Sequence, residues 1–160
     1  MNTLIVYYSL NGNTEDTVNR ISSIIGASVL RIAPKKAYPD KGFRKFLVGG
    51  SDVAFKRRPP LEPYTVDLSS FDTVVIATPV WASSFAPPIG TFIDENREAL
   101  KGKRFAIVFC SAGGDIIKAE ERTKAYLGAE GEVPVLSLID PKTRPKEGDE
   151  ELIKVFCEKL

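Results

Sequence analysis

The chain has 160 residues, and its 43% hydrophobic content is enough to form the core of one domain. Its formal net charge of +1 excludes a strongly polycationic protein of the kind that binds nucleic acid through overall charge. Histidine is absent, which excludes histidine metal sites and histidine acid–base catalysis, and the two cysteines form no Cys-x-x-Cys pair, which disfavours a zinc site or disulfide framework. Without a leader-like or bilayer-length apolar stretch, we expect a cytoplasmic protein with residues 1–160 in a single domain, no membrane span and no nucleic-acid partner.

Apolar runs alternate with helical patterns along the whole chain. The predicted strands are residues 4–8, 28–32, 73–78, 105–109 and 133–139. The runs at 73–78 and 105–109 are continuously apolar, which is typical of strands covered on both faces. The helical patterns carry inward-facing residues that include Val18, Ile21, Ile24, Ile25, Ile89, Phe92, Ile93, Leu152, Ile153 and Phe156. This alternation predicts an α/β fold with a five-stranded parallel sheet between two helical layers.

The turn between the first strand and the first helix is rich in small polar residues: Ser9, Leu10, Asn11, Gly12, Asn13 and Thr14. Unpaired amides and the helix dipole at such a helix start favour an anion, and hydroxyl and amide side chains add donors without any lysine or arginine. The same composition also suits an ordinary turn that caps a helix. The turn lacks the Gly-Lys-Ser/Thr triplet of a P-loop and has only one of the three glycines of a dinucleotide-binding loop. A monophosphate therefore suits this turn better than a triphosphate or a pyrophosphate.

Two further loops should meet this turn, because parallel strands end at the same edge of a sheet. The second loop contains Thr78, Pro79, Val80, Trp81, Ala82 and Ser83. The third follows Cys110 and contains Ser111, Ala112, Gly113, Gly114 and Asp115. A loop tryptophan either packs or stacks on a planar ligand, and the neighbouring phosphate turn favours stacking. We expect Cys110 to be a small buried hydrophobe and Asp115 to cap a helix that runs from about 115 to 126.

These three loops resemble those of the flavodoxin family, and residues 42–47 with the Gly49-Gly50 pair resemble the second-helix region of one of its branches. The resemblance implies a flavodoxin-like three-layer sandwich with sheet order 2-1-3-4-5 and FMN as the cofactor. Residues 9–14 would hold its phosphate, 78–83 one side of the isoalloxazine, and 111–115 the other edge. It implies neither a catalytic residue nor a metal site.

Two departures from the family bear on function. The third loop has no aromatic residue, so we expect one flavin face on Trp81, or on Phe85 as a substitute, and an open opposite face. No glycine lies between Gly50 and Gly90, and a non-glycine residue in the left-handed region costs about 1–2 kcal/mol. We therefore expect the two one-electron potentials of the flavin to lie close together.

The segment at residues 34–60 is basic, with eight lysines and arginines against Asp40 and Asp52. Its middle, from Lys41 to about Lys56, is predicted to be a helix whose inward-facing residues are Phe43, Phe46, Leu47 and Phe55. The segment is either a solvated helix face or a docking surface for an acidic redox partner or a nicotinamide cofactor.

The predicted function is that of an FMN-binding redox protein of the electron-carrier type. An NAD(P)H-dependent reductase acting on quinones or other small acceptors is the first alternative. A flavin-free module of the same fold, with a binding or regulatory role, is the second.

Overall fold

Five parallel strands form the centre of the molecule. The structure is a computed structural model that describes residues 2–39, 44–54 and 56–160, without the side chains of 44–47. They are β1 (Thr3–Tyr7), β2 (Ser28–Arg31), β3 (Thr73–Trp81), β5 (Arg104–Ser111) and β6 (Val135–Ile139). The sheet order is β2-β1-β3-β5-β6, and the two-residue strand β4 (Ser84–Phe85) pairs antiparallel with the end of β3. Counting parallel strands alone, this is the predicted 2-1-3-4-5 order.

Helices cover both faces of the sheet. They are α1 (Asn13–Ile25), α2 (Arg44–Ala54), α3 (Pro87–Glu95), α4 (Arg97–Leu100), α5 (Ile117–Leu127) and α6 (Asp149–Cys157), with a 3-10 turn at Leu68–Ser70. Alternate residues of β1 and β3 serve two separate cores: Leu4 and Val74 pack with α3 and α5, whereas Ile5 and Val75 pack with α1 and α6. The predicted three-layer sandwich is confirmed.

Some predicted boundaries and burials are wrong. Strand β3 runs on to Trp81, because its last residues pair with β4 across a tight turn. Ile24 is 49% exposed and Leu152 is 52% exposed, because the buried stripe of α1 passes through Val18 and Ile21 and that of α6 through residues 153 and 156. A helical residue one step off such a stripe turns about 100° away from the sheet.

The helix predicted over 41–56 corresponds to α2, Arg44–Ala54, and residues 41–43 and 55 of the prediction lie outside the described residues. Of its predicted inward residues, Phe43 and Phe55 lie outside the described residues, and so do the side chains of Phe46 and Leu47. Tyr38 donates a 2.7 Å hydrogen bond to Asp52, which ties the end of α2 to the preceding loop.

Candidate functional site

A cavity of about 590 Å³ opens at the carboxyl edge of the sheet, where the three predicted loops converge. Predicted site residues that line it are Ser9, Leu10, Asn11, Asn13, Thr14, Pro79, Val80, Trp81, Ala82, Ser111 and Ala112. Other predicted site residues do not line it: Gly12, Thr78, Ser83, Gly113, Gly114 and Asp115. Among the described residues, Gly50, Cys110, Asp140 and Thr143 also line it, and the sequence patterns predict neither α2 nor the loop after β6 at the site.

The turn after β1 is organised from within by Ser9. Its Oγ accepts hydrogen bonds from the Gly12 amide at 3.1 Å and from the Glu15 amide at 3.3 Å. Gly12 adopts a φ of 85°, the left-handed conformation that lets the chain enter α1. The amides of Asn11, Asn13 and Thr14 have no acceptor within the described part of the chain, so a small anion can use them.

Asn13 does not provide the free side-chain donor that the sequence predicted. Its Oδ1 accepts the Lys142 amide at 3.0 Å, and its Nδ2 donates to Asp140 Oδ1 at 3.3 Å. The side chain therefore joins the β1–α1 turn to the loop after β6. Both partners are more than 120 residues away in sequence, so no local pattern could have revealed this bridge.

Trp81 lies half-buried at one wall of the cavity within a cluster of aromatic rings. It meets Tyr8 edge-on at 5.7 Å and Tyr38 at 5.0 Å between ring centroids. A β-carbon at Gly49 would lie 3.1 Å from Trp81 Cε3, so the glycine lets α2 pack directly on the indole. Burial raises the pKa values of both tyrosines, with a hydrogen bond to Asp52 adding to the effect at Tyr38.

Phe85 does not face the cavity, so the substitute stacking partner suggested by the sequence is wrong. It is 6% exposed, and its ring packs 5.1 Å from that of Tyr126. The alternation of side chains along β4 directs Phe85 towards α5.

The turn that joins β3 to β4 is strained. Ala82 and Ser83 have φ values of 45° and 55°, and a two-residue hairpin turn with both central residues there strongly prefers Asn-Gly. Arg122 of α5 donates from Nη1 to the Ala82 and Ser83 carbonyls at 3.2 and 2.9 Å. The second loop thus already holds two residues other than glycine in the left-handed region.

The third loop turns at Gly113 and Gly114, whose φ values of 129° and 90° require glycine. Asp115 accepts the Ile117 amide at 2.8 Å and so caps α5, as predicted. Cys110 is buried, and burial raises the pKa of its thiol against the opposing effect of hydrogen bonds with Thr17 and Thr14. A neutral, buried thiol fits the predicted role of a small hydrophobe.

A sequence model of a family described as Flavodoxin domain matches residues 50–136, more than half of the chain. This chain belongs to the flavodoxin family.

Solved structures share the fold of this flavodoxin-family chain. The flavoprotein from Lactobacillus acidophilus NCFM, solved in complex with FMN, is 22% identical over 88% of this chain and 93% of its own, with a TM-score of 0.72. A protein from Bacteroides eggerthii DSM 20697 is 21% identical over 99% and 97%, with a TM-score of 0.76. Two-electron reduced Megasphaera elsdenii flavodoxin is 17% identical over 98% of each chain, with a TM-score of 0.57. No curated protein matches the chain significantly.

Part of the basic segment is neutralised within this flavodoxin fold. Arg57 pairs with Asp52 at 3.0 Å, and Arg58 pairs with Asp94 at 3.1 Å while it lies over the Tyr126 ring. The exposed lysines described in the segment are Lys35, Lys36 and Lys56. Lys41 and the side chains of Arg44 and Lys45 lie outside the described residues.

Two further classes of site find no support in the described residues. Those residues contain no group of His, Cys, Asp or Glu side chains arranged to hold a metal ion. Every helix among them is too short or too polar to cross a membrane.

Proposed function

We propose that this chain binds FMN in the cavity at the carboxyl edge of the sheet and works as a redox protein, with residues 1–160 acting as one flavodoxin-like domain. The observation that carries the proposal is the convergence of the three loops on one cavity of about 590 Å³. A volume of about 300–1,000 Å³ is usual for small-molecule sites.

The phosphate end of FMN fits the turn after β1. The amides of Asn11, Asn13 and Thr14, which have no acceptor among the described residues, lie where the positive end of the α1 dipole favours an anion. Ser9 fixes the turn from behind, so these amides are held in place before any ligand arrives.

The isoalloxazine end fits the opposite part of the cavity. Trp81 supplies a flat aromatic wall there, and Pro79, Val80 and Ala112 supply smaller apolar surfaces. FMN, when bound, supplies the electron-transfer chemistry, while these side chains orient the ring and exclude water from it.

Electron carriage is our proposal for the finer function. The chain contains no histidine, the thiol in the cavity is kept neutral by burial, and Asp140 is bonded to Asn13 and Arg144. The described wall therefore holds no imidazole, a thiol kept neutral, and a single carboxylate that is already paired, which disfavours acid–base catalysis on a second substrate. The exposed Lys35, Lys36 and Lys56 support docking of an acidic protein partner near residues 34–60.

A reductase is the second candidate, and one observation favours it. Trp81 is the only aromatic residue among the described residues that line the cavity, and small Ser111 and Ala112 stand elsewhere in the wall. A flavin on Trp81 would leave its other face open to a nicotinamide or a quinone.

Titration of FMN into the purified protein, followed by quenching of flavin fluorescence, tests the proposal. Trp81→Leu should weaken FMN about 3- to 10-fold, because an aromatic pair contributes roughly 0.5–1.5 kcal/mol beyond area burial. Phe71→Leu, two residues before the first residue of β3 and so at the other edge of the sheet, is the matched control and should leave affinity unchanged. If the wild-type protein ignores FMN, a flavin-free binding module is the better description.

Anaerobic mixing separates the two redox functions. Rapid oxidation of NADPH by the FMN-loaded protein, with a quinone as acceptor, would favour the reductase. No reaction with NAD(P)H, together with reduction by a carrier-type donor such as a flavoprotein reductase, would favour the carrier.

A further inference from the structure

Lys142, in the loop between β6 and α6, lies against the turn that is proposed to hold the phosphate. Its amide donates to Asn13 Oδ1 at 3.0 Å. Its side chain extends over Gly12, so closely that a β-carbon on that glycine would be 2.9 Å from Nζ and 3.4 Å from Cδ. Backbone and side chain thus both hold Lys142 on the turn.

The ammonium group is next to the open amides of this turn. Gly12 lies between Asn11 and Asn13, whose amides have no acceptor within the described part of the chain. Lys142 forms no ion pair with any residue that the structure describes. A dianion at these amides would meet an uncommitted positive charge.

The acidic groups near the turn already have partners. Asp140 bonds to Asn13 and is paired with Arg144, which donates from Nε at 3.0 Å. Glu15 accepts the Tyr7 hydroxyl at 3.0 Å and pairs with an arginine of β2, and Asp16 pairs with the arginine one helical turn later. Among the described groups around the turn, the ammonium group of Lys142 therefore has no acidic side chain as a counterion.

We propose that Lys142 binds the phosphomonoester of the flavin and sets the preference of this chain for phosphorylated over unphosphorylated flavin. The inference rests on the proposed FMN site and assigns a specificity-determining residue within it. A dianionic phosphate gains from the ammonium group, whereas riboflavin presents only a hydroxyl at that end. A β-carbon at position 12 would push the flexible end of the Lys142 side chain away from the turn.

The test compares FMN and riboflavin affinities, by quenching of flavin fluorescence, in the wild-type protein and in Lys142→Met. Loss of one charge at a partly solvated phosphate should weaken FMN about fivefold and leave riboflavin within about twofold. Lys142→Arg keeps the charge and should stay within about threefold for FMN. The FMN affinity of the wild-type protein should also fall more steeply with added salt than that of Lys142→Met.

Lys146→Met is the matched control, because Lys146 is exposed on the same loop and its removal changes the net charge equally. Equal weakening of FMN by Lys146→Met and Lys142→Met, or parallel weakening of FMN and riboflavin by Lys142→Met, would overturn the assignment while leaving FMN binding intact. Failure of the wild-type protein to bind either flavin would instead overturn the proposed function, and this assignment with it. Thermal unfolding of each variant checks that the fold is retained.

Discussion

The turn between β3 and β4 offers the sharpest test of how tertiary contacts shape the site. Ala82 and Ser83 both hold positive φ values, at a cost of roughly 1–2 kcal/mol each for residues with a β-carbon. Arg122 donates to both of their carbonyls, and such bonds contribute about 0.5–1.5 kcal/mol each. The two effects are of similar size, so we infer that Arg122 holds a turn that would otherwise relax.

Three variants separate strain from the contact that opposes it. Ser83→Gly should stabilise the protein by about 0.5–1 kcal/mol after the greater freedom of glycine in the unfolded chain is counted, because it removes a strained β-carbon. Arg122→Met should destabilise it by about 1–2 kcal/mol through loss of two hydrogen bonds. In the combined Ala82→Asn, Ser83→Gly and Arg122→Met protein, an Asn-Gly turn should keep its shape without the arginine.

Trp81 is the only tryptophan and lies next to the turn, so its fluorescence is a local assay that needs no flavin. Acrylamide should quench Trp81 fluorescence more strongly in Arg122→Met than in the wild-type protein. The quenching should return to the wild-type value in the combined variant, and thermal melts report the stabilities. Ser28→Gly, in the exposed edge strand β2, and Lys118→Met, exposed on α5, are the controls. Equal destabilisation by Ser83→Gly and Ser28→Gly, or an equal response of Trp81 to Arg122→Met and Lys118→Met, would show that the turn is not strained or that Arg122 does not hold it.

Two other predictions concern α2 and β1. Gly49→Ala should destabilise the protein by about 1 kcal/mol and shift Trp81 emission, because the new β-carbon would lie 3.1 Å from the indole. A β-carbon at Gly50 would meet nothing within 4 Å, so Gly50→Ala should stabilise the helix by up to about 1 kcal/mol. Thermal melts measure both effects. The pKa of Tyr7 is raised to about 12 by burial and by its hydrogen bond to Glu15. The unfolded chain therefore loses this proton first as pH rises above about 10, so the free energy of unfolding falls between the unfolded and folded pKa values of Tyr7. Denaturant titrations of Tyr7→Phe should show a shallower fall with pH than those of the wild-type protein. Equal melting shifts for the two alanine variants, or parallel pH profiles for Tyr7→Phe and wild type, would contradict these assignments.

The fold was predictable because its signals are local. The continuous apolar runs at 73–78 and 105–109 became central strands with residues buried on both faces, and alternation of strands with helices implied parallel order. Helix faces were less predictable, as Ile24 and Leu152 demonstrate. An apolar residue beside a buried stripe has the same local pattern as one within it, and only the position of the neighbouring layer distinguishes them.

The candidate site was predictable in outline for the same reason. Strand ends identify loops, and parallel strands bring those loops to one edge, so the turns at 9–14, 78–83 and 111–115 could be placed together. The same rule brings the loop after β6, which contains Asp140, Lys142 and Thr143, to that edge, but not the contacts that these residues make there.

Local patterns were sufficient to predict the sheet and the three loops that meet at the cavity, because strand periodicity and turn composition are properties of short segments; the strand order came from the family resemblance. The role of each loop at the cavity depends on contacts that form only in the folded protein. The tertiary structure bound the Asn13 side chain to the loop after β6, packed α2 on Trp81 through Gly49, and set Arg122 against a strained turn. These contacts join residues distant in the chain, and their geometry exists only once the layers have packed.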